Sequence, residues 1–499
     1  MSADPSHTVI RAGSAVQHHV IRRQIVEVNL PGSEADGFAL QRRVAGLCRD
    51  WLGPALEETL DRIAPSDEYW SMDSLIIDAG SFSAETFERD FVGAVAEALR
   101  REIDDRAAGR GGGLQRSEVA NRGWSRSTAD GADAAGGIKR RTGAQFLNRA
   151  FLHFLATGTL PWWFRLPNGQ SLEEAMTASW NGIAPMAGTG RAVLAAITSS
   201  VMRTRLVRQF SPSFLDALFR TAAPEAVAFV RNLLAEMQRL SVPSDMVRQF
   251  GEQLWQIVAL KAAAGRGPAA IEAVTEWVRG ALTETGPLQL PAPVVRSLRA
   301  AVGLRTRSDE TPALAIAPRP MRDPTGEAGA SLELEDGIFV ECAGLILLHP
   351  FLPRLLEALG IAVDGALVQP GRALCLLHFL AAGERQPPEY ALVLPKLLCN
   401  LPLEEPTGAP VELTAAEEDE CRALLEAVIG HWGALGGASV DALRGTFLVR
   451  PGKLSRRGDD NLLQVDALAF DVLLGQLPWS LSVVRLPWMN RSLLVEWTS

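Results

Sequence analysis

Breaker residues constrain this chain more than any other feature. Thirty prolines and forty-four glycines are spread through its 499 residues. Proline removes a backbone donor and glycine costs the helix entropy, so no single long helix runs through them. Two clusters of them also lack any hydrophobic period. Residues 107–141 hold Gly109, Gly111, Gly112, Gly113, Gly123, Gly131, Gly136 and Gly137, and residues 305–331 hold Pro312, Pro318, Pro320 and Pro324. Both stretches read as linkers, the first disordered and basic through Arg110, Arg116, Arg122, Arg126 and Lys139-Arg140-Arg141. It is expected as a solvated tether, with contact to an acidic partner surface as the alternative. The linkers divide the chain into residues 18–106, 142–304 and 337–499, with 305–336 between the last two. The expected class is α+β and mainly α-helical: a small N-terminal α/β unit, a helical middle region and a mixed α/β C-terminal module.

Residues 18–106 read as a small βαβα domain. Val20, Val26, Val28 and Leu30 alternate with Arg23, Glu27 and Asn29, the pattern of a half-buried strand. Ser33 is placed to cap a helix carrying Leu40, Val44, Leu47 and Trp51. Gly53-Pro54 should kink or break it before Leu56, Leu60 and Ile63 continue the stripe. Trp70–Ala79 reads as a second strand. Phe87, Phe91, Val95 and Leu99 define another amphipathic helix, with Ser83 as its cap.

Residues 142–304 carry helical periods joined by brief connections, which suggests helical hairpins. Ser171 and Glu174 have capping-box spacing. Pro212, Pro224, Pro243 and Pro268 each open a new helical pattern. In the C-terminal module, Thr414 and Glu417 make a second capping box. It starts a helix with Cys421, Leu424, Leu425, Val428, Ile429 and Trp432 on one face. The acidic run Glu417–Glu420 lies in the first turn, where the helix dipole favours it. Leu462–Val465, Leu481–Leu486 and Leu493–Trp497 read as short strands. One internal likeness spans the two regions: Leu152-His-Phe-Leu-Ala-Thr-Gly158 matches Leu377-His-Phe-Leu-Ala-Ala-Gly383 at all but one position. Both sequences suit a helix ending on a left-handed glycine. Duplication and chance both remain open for so short a match.

Hydrophobic residues make up 47% of the chain, enough for several cored domains. A net charge of −9, with no dominant basic face, does not suggest nucleic-acid binding. The N-terminus lacks the apolar core of a secretory signal. The longest apolar stretch, from Cys342 to Leu348, is cut by His349 and Pro350, short of a membrane span. A cytoplasmic protein is expected. Cys48, Cys342, Cys375, Cys399 and Cys421 are odd in number and widely spaced, as reduced thiols are.

Catalytic signatures are missing from the sequence. Gly131 and Gly136 are followed by Gly137 and Ile138, not by the Lys and Ser/Thr of a phosphate-binding loop. No G-x-S-x-G elbow occurs. Cys375 and His378 have a metal-like spacing, yet no second tight pair completes a zinc site. His378 therefore reads as a core or capping residue, and Glu404-Glu405 as a loop. Neither an enzyme nor a cofactor nor a metal is expected.

Several motifs are specific and ordered. Gly344-Leu-Ile-Leu-Leu-His-Pro-Phe-Leu-Pro-Arg-Leu-Leu356 comes first. Pro388-Glu-Tyr-Ala-Leu-Val-Leu-Pro-Lys-Leu-Leu-Cys399 follows, with Leu401-Pro-Leu-Glu-Glu405. Then come Gly452-Lys-Leu-Ser-Arg456 and Leu477-Pro-Trp-Ser-Leu-Ser-Val-Val-Arg-Leu-Pro-Trp488. His19-Val-Ile-Arg-Arg-Gln-Ile-Val-Glu-Val28, Leu75-Ile-Ile-Asp-Ala-Gly80 and Phe154-Leu-Ala-Thr-Gly-Thr-Leu-Pro-Trp-Trp163 add to them. Together the chain resembles the tape measure proteins of phage-tail-like contractile injection systems. The resemblance implies a structural and assembly role, setting or assisting tube and sheath length from inside the tube, with tube, baseplate and cap proteins as partners. An assembly chaperone or adaptor that leaves the particle is the alternative. Among twelve tryptophans, Trp162, Trp163, Trp479, Trp488 and Trp497 are the expected core or interaction anchors, because indoles supply large buried area. A fully helical chain of this length would span roughly 750 Å, yet its breakers call for compact domains.

Overall fold

A computed structural model describes residues 19, 21, 24–30, 34–64, 68–72, 74–83, 85–108, 138–161, 163–166, 170–180, 189–282, 292–301, 337–408 and 411–497. The chain divides into two compact units, Met1–Leu147 and Asn148–Ser499. The proposed Ser33 cap and most of both linkers lie outside the described residues.

In the first unit, α1 (Glu34–Leu47) passes through a single π-turn (Cys48–Leu52) into α2 (Gly53–Ile63). Pro54 sits in the first turn of α2, where its missing N–H costs no helical bond. The expected break at Gly53-Pro54 is thus a π-turn ahead of it. Strand β1 (Glu68–Ser71) comes next, then α3 (Phe87–Ala107). Phe87, Phe91, Val95, Leu99 and Ile103 bury one face of α3 in a core with Val44, Leu52 and Leu56. Thr86, not Ser83, is the N-cap residue; Ser83 Oγ accepts from the Thr86 N–H at 3.2 Å.

The strands of this unit differ from expectation. β1 pairs antiparallel with β2 (Lys139–Thr142), drawn from the end of the basic stretch read as linker. Residues 24–30 are exposed and in no strand. Residues 74–80 are also in no strand, although Leu75 and Ile77 pack on the core and Ile76 is exposed. Alternation alone does not make a strand; a backbone partner must be available. Lys139–Thr142 found one, and the Arg140 guanidinium lies 5.2 Å from the Trp70 ring centre.

Helix α4 (Gly143–Thr157) leads into the second unit. Helices α5 (Leu172–Ser179), α6 (Thr189–Ala196), α7 (Ser200–Gln209) and α8 (Pro212–Phe219) follow. Then come α9 (Pro224–Arg239), α10 (Ser244–Ala263), α11 (Ala270–Ala281) and α12 (Ala292–Ala301). The Ser171 capping box forms in both directions. Pro212 and Pro224 open α8 and α9, Pro243 caps α10, and Pro268 sits in a 3-10 turn before α11. Phe250, Leu254, Val258 and Ala259 bury one face of α10.

The remainder of the second unit begins with β3 (Ile338–Val340), a 3-10 turn (Ala343–Leu348) and α13 (Leu352–Ala358). A small hairpin, β4 (Ala362–Val363) and β5 (Ala366–Leu367), precedes α14 (Pro370–Ala382) and α15 (Val393–Leu398). Helix α16 (Ala415–His431) starts at the Thr414 capping box, and α17 (Val440–Leu443) runs into a π-turn. Strands β6 (Gly452–Arg457), β7 (Asp460–Val465), β8 (Val483–Val484) and β9 (Leu493–Glu496) complete it. The sheet order is β3-β6-β7-β9-β8, antiparallel except for the parallel pair β7 and β9. Its core runs from Ile338 to Leu493 and includes Trp432, which is fully buried. Strands fall on all three expected stretches, though β8 covers two residues only.

Candidate functional site

A buried ion cluster lies where the helices of the second unit meet its C-terminal module. Arg205 comes from α7, Glu389 from the turn before α15, and Lys396 from α15 itself. All three side chains are almost wholly buried. Arg205 Nε donates to Glu389 Oε2 at 3.1 Å, and Lys396 Nζ donates to Glu389 Oε1 at 2.7 Å. Lys396 spends its two remaining donors on the carbonyls of Leu403 (2.9 Å) and Glu405 (2.8 Å). Arg205 donates in addition to the carbonyls of Leu155 and Glu404. Burial pulls the Lys396 pKa down from its ordinary value, against the opposing pull of Glu389. Two basic side chains share the one carboxylate in direct contact with them.

Gln209, one turn beyond Arg205, extends the contact. Its side-chain oxygen accepts from the Glu389 N–H at 2.9 Å, and its amide donates to Thr407 Oγ1 at 3.1 Å. Phe154 meets Tyr390 edge to face at 5.8 Å. Arg165 lies over the Phe339 ring, 3.4 Å from its centre, and burial lowers its pKa to about 10.

The end of α4 explains why the cluster fits. Gly158 closes the helix at φ +81°, and its N–H returns to the Phe154 carbonyl at 2.8 Å. A Cβ at Gly158 would stand 2.7 Å from Glu389 Oε1. Only glycine supplies both the left-handed turn and the room. The second copy of the seven-residue motif ends in the same way. Gly383 closes α14 at φ +78°, with its N–H on the Phe379 carbonyl at 2.8 Å. Arg444 then donates to the Leu380 carbonyl at 3.1 Å and the Phe379 carbonyl at 3.0 Å. Leu155 and Leu380 hold the same motif position, and each receives a guanidinium from a later segment, α7 in one case and the π-turn after α17 in the other. The likeness therefore extends from sequence to capping geometry. In the first copy the arginine also meets a buried carboxylate.

The expected tryptophan anchors sit elsewhere; two of them bond backbone carbonyls and a third bonds a carboxylate. Trp479 Nε1 donates to the Leu347 carbonyl at 3.0 Å, and its ring meets Phe351 edge to face. Trp488 Nε1 donates to the Leu398 carbonyl at 2.7 Å, at the end of α15. Trp497 Nε1 donates to Asp471 Oδ2 at 3.0 Å, beneath the Arg450 guanidinium. Arg450 and Asp471 form a buried two-bond pair at 2.7 and 2.9 Å. Each of the three indoles thus ties a late segment to an earlier one within the module, and each is half-buried. Trp163 lies under the Arg149 guanidinium at 5.2 Å. Trp162 lies outside the described residues.

Cys375 and His378 both lie on α14, and burial lowers the His378 pKa. Among the described residues no group of three His, Cys, Asp or Glu converges as a metal site would require. Glu404 and Glu405 serve the ion cluster through their carbonyls.

Sequence reasoning passed over Arg205, Glu389 and Lys396. Lys396 had a signal, being the one charge inside the apolar run Val393–Leu398. Arg205 had none that set it apart from Arg203 or Arg208.

Compared with known proteins, the chain matches one family over residues 18–497, the family described as contractile injection system tape measure protein. Searches of curated proteins and of solved structures give no match.

Proposed function

The chain belongs to the contractile injection system tape measure proteins, and from that premise we propose that it sets tube and sheath length from inside the tube. Its role is structural and in assembly, and the family does not favour a chaperone that departs. It associates with components of the particle; we read these as the tube, the baseplate and the cap. No helix among the described residues is long and apolar enough to cross a membrane. We place the chain in the cytoplasm during synthesis and in the tube afterwards.

One observation carries this reading: the match runs through all three regions of the chain rather than one. The helical stretch α4–α12 is the natural measuring segment, because most of the specific motifs flank it. The tryptophans are read as structural anchors of the C-terminal module. We read the chain as non-catalytic and free of a resident cofactor, in keeping with a structural family.

Quantitative analysis of purified, intact particles tests the reading. A fixed number of copies per particle supports it. Complete particles that lack the chain would overturn it.

A further inference from the structure

We infer that the Arg205–Glu389–Lys396 cluster is a releasable latch: the helices through α12 and the module from β3 onward part there when the chain extends along the tube. This rests on the length-setting reading above.

Three observations carry it. First, the apolar core of the module is self-contained. Every residue in it, and every half-buried residue packed on it, lies between Ile338 and Trp497. Opening the contact leaves that core whole. Second, the contact itself is rich in polar groups. Arg205, Gln209, Glu389, Lys396 and Thr407 meet there, beside the Phe154–Tyr390 contact. Buried ion clusters contribute little net stability against apolar packing, since desolvation offsets their attraction; fixing register and switching are their best-attested uses. Here one carboxylate serves two cations, so water regained on opening offsets much of what the separation costs. Third, the compact form is short. A compact body of about 350 residues has a radius of gyration of about 20 Å, whereas the stretch α4–α12 alone, about 160 residues laid end to end as successive helices, spans up to about 240 Å. A chain that measures a tube by its contour cannot do so while folded on itself.

The latch predicts that locking it shut blocks assembly. Gln209→Cys with Thr407→Cys replaces a side-chain pair that bridges the contact. The double variant is cross-linked with a short bifunctional thiol reagent containing a disulfide, and its fold is verified by circular dichroism and thermal melting. It is then added to a cell-free assembly reaction depleted of the native chain. The expected result is loss of full-length particles, restored by reductant, while each single variant assembles normally. Recovery of normal-length particles that contain the still cross-linked chain would overturn the latch. A companion set with insertions between Ala301 and Gly337 separates the two ideas. If insertions lengthen particles while the locked chain still assembles, only the latch fails. If insertions leave length unchanged, the length-setting reading fails with it.

Discussion

Glu389 holds one negative charge between two buried cations, so its neutral isostere is the sharpest single substitution. Glu389→Gln keeps the shape but removes the carboxylate that Arg205 and Lys396 both contact, at a cost of about 3–5 kcal/mol. Urea unfolding measures it, and a loss below about 1 kcal/mol would contradict the cluster's place in the fold. Two other residues set the response to acid. Burial, with Arg149 adding to it, holds the His153 pKa down at about 4. The unfolded chain takes up that proton first, near pH 6.5. The stability from neutral His153 is therefore complete above pH 6.5 and is lost as pH falls towards about 4. His349 and His378 shift in the same direction. Glu417 is held at about 2 by Arg372 and by the Thr414 cap. Its contribution is present above about pH 4.5 and is lost as pH falls through about 2. His153→Gln should reduce the slope of stability against pH between 6.5 and 4, leaving the part due to His349 and His378, without touching the lower window; an unchanged profile would refute the assignment. The Thr414–Glu417 box was legible because capping is local. The Arg205–Glu389 pair joins residues 184 apart in sequence, and no spacing rule reaches that far.

Elements were legible where their signals were local. Thr414 and Ser171 announced α16 and α5, Pro212 and Pro224 opened α8 and α9, and the Phe87–Leu99 stripe marked α3. The N-terminal strands were not, because alternation gives a face but not a partner. Residues 24–30 alternate and stay unpaired, whereas Lys139–Thr142 shows no such pattern and pairs with β1. The Leu-Pro-Trp elements gave away their importance but not their targets, the carbonyls of Leu347 and Leu398. Trp479→Ala or Trp488→Ala should cost about 3–5 kcal/mol through lost aromatic packing and should abolish particle formation. Chemical unfolding of the purified variants and particle counts by electron microscopy check both, and normal counts with normal stability would contradict the anchor role. The glycine-rich and proline-rich stretches supply an element map of their own. Brief limited proteolysis should cut within 107–141 and 305–331; earlier cutting inside 415–432 would contradict it.

For the whole molecule, length is the property that matters. The breakers that rule out a continuous helix also make the chain fold into compact units, and Asn148–Ser499 gathers the middle helices and the module into one of them. A ruler built this way must open before it measures, and the polar contact at Arg205 is where that opening leaves the module's core intact. Composition and motifs carried the family and the α+β class; the way the middle helices join the module depended on contacts between distant residues. The most direct measurement is particle length by electron microscopy for chains with helical insertions between Ala301 and Gly337. Each 40 inserted residues should lengthen the particle by about 60 Å if helical, and by roughly twice that if extended. Particles that form in normal numbers at unchanged length would contradict the account.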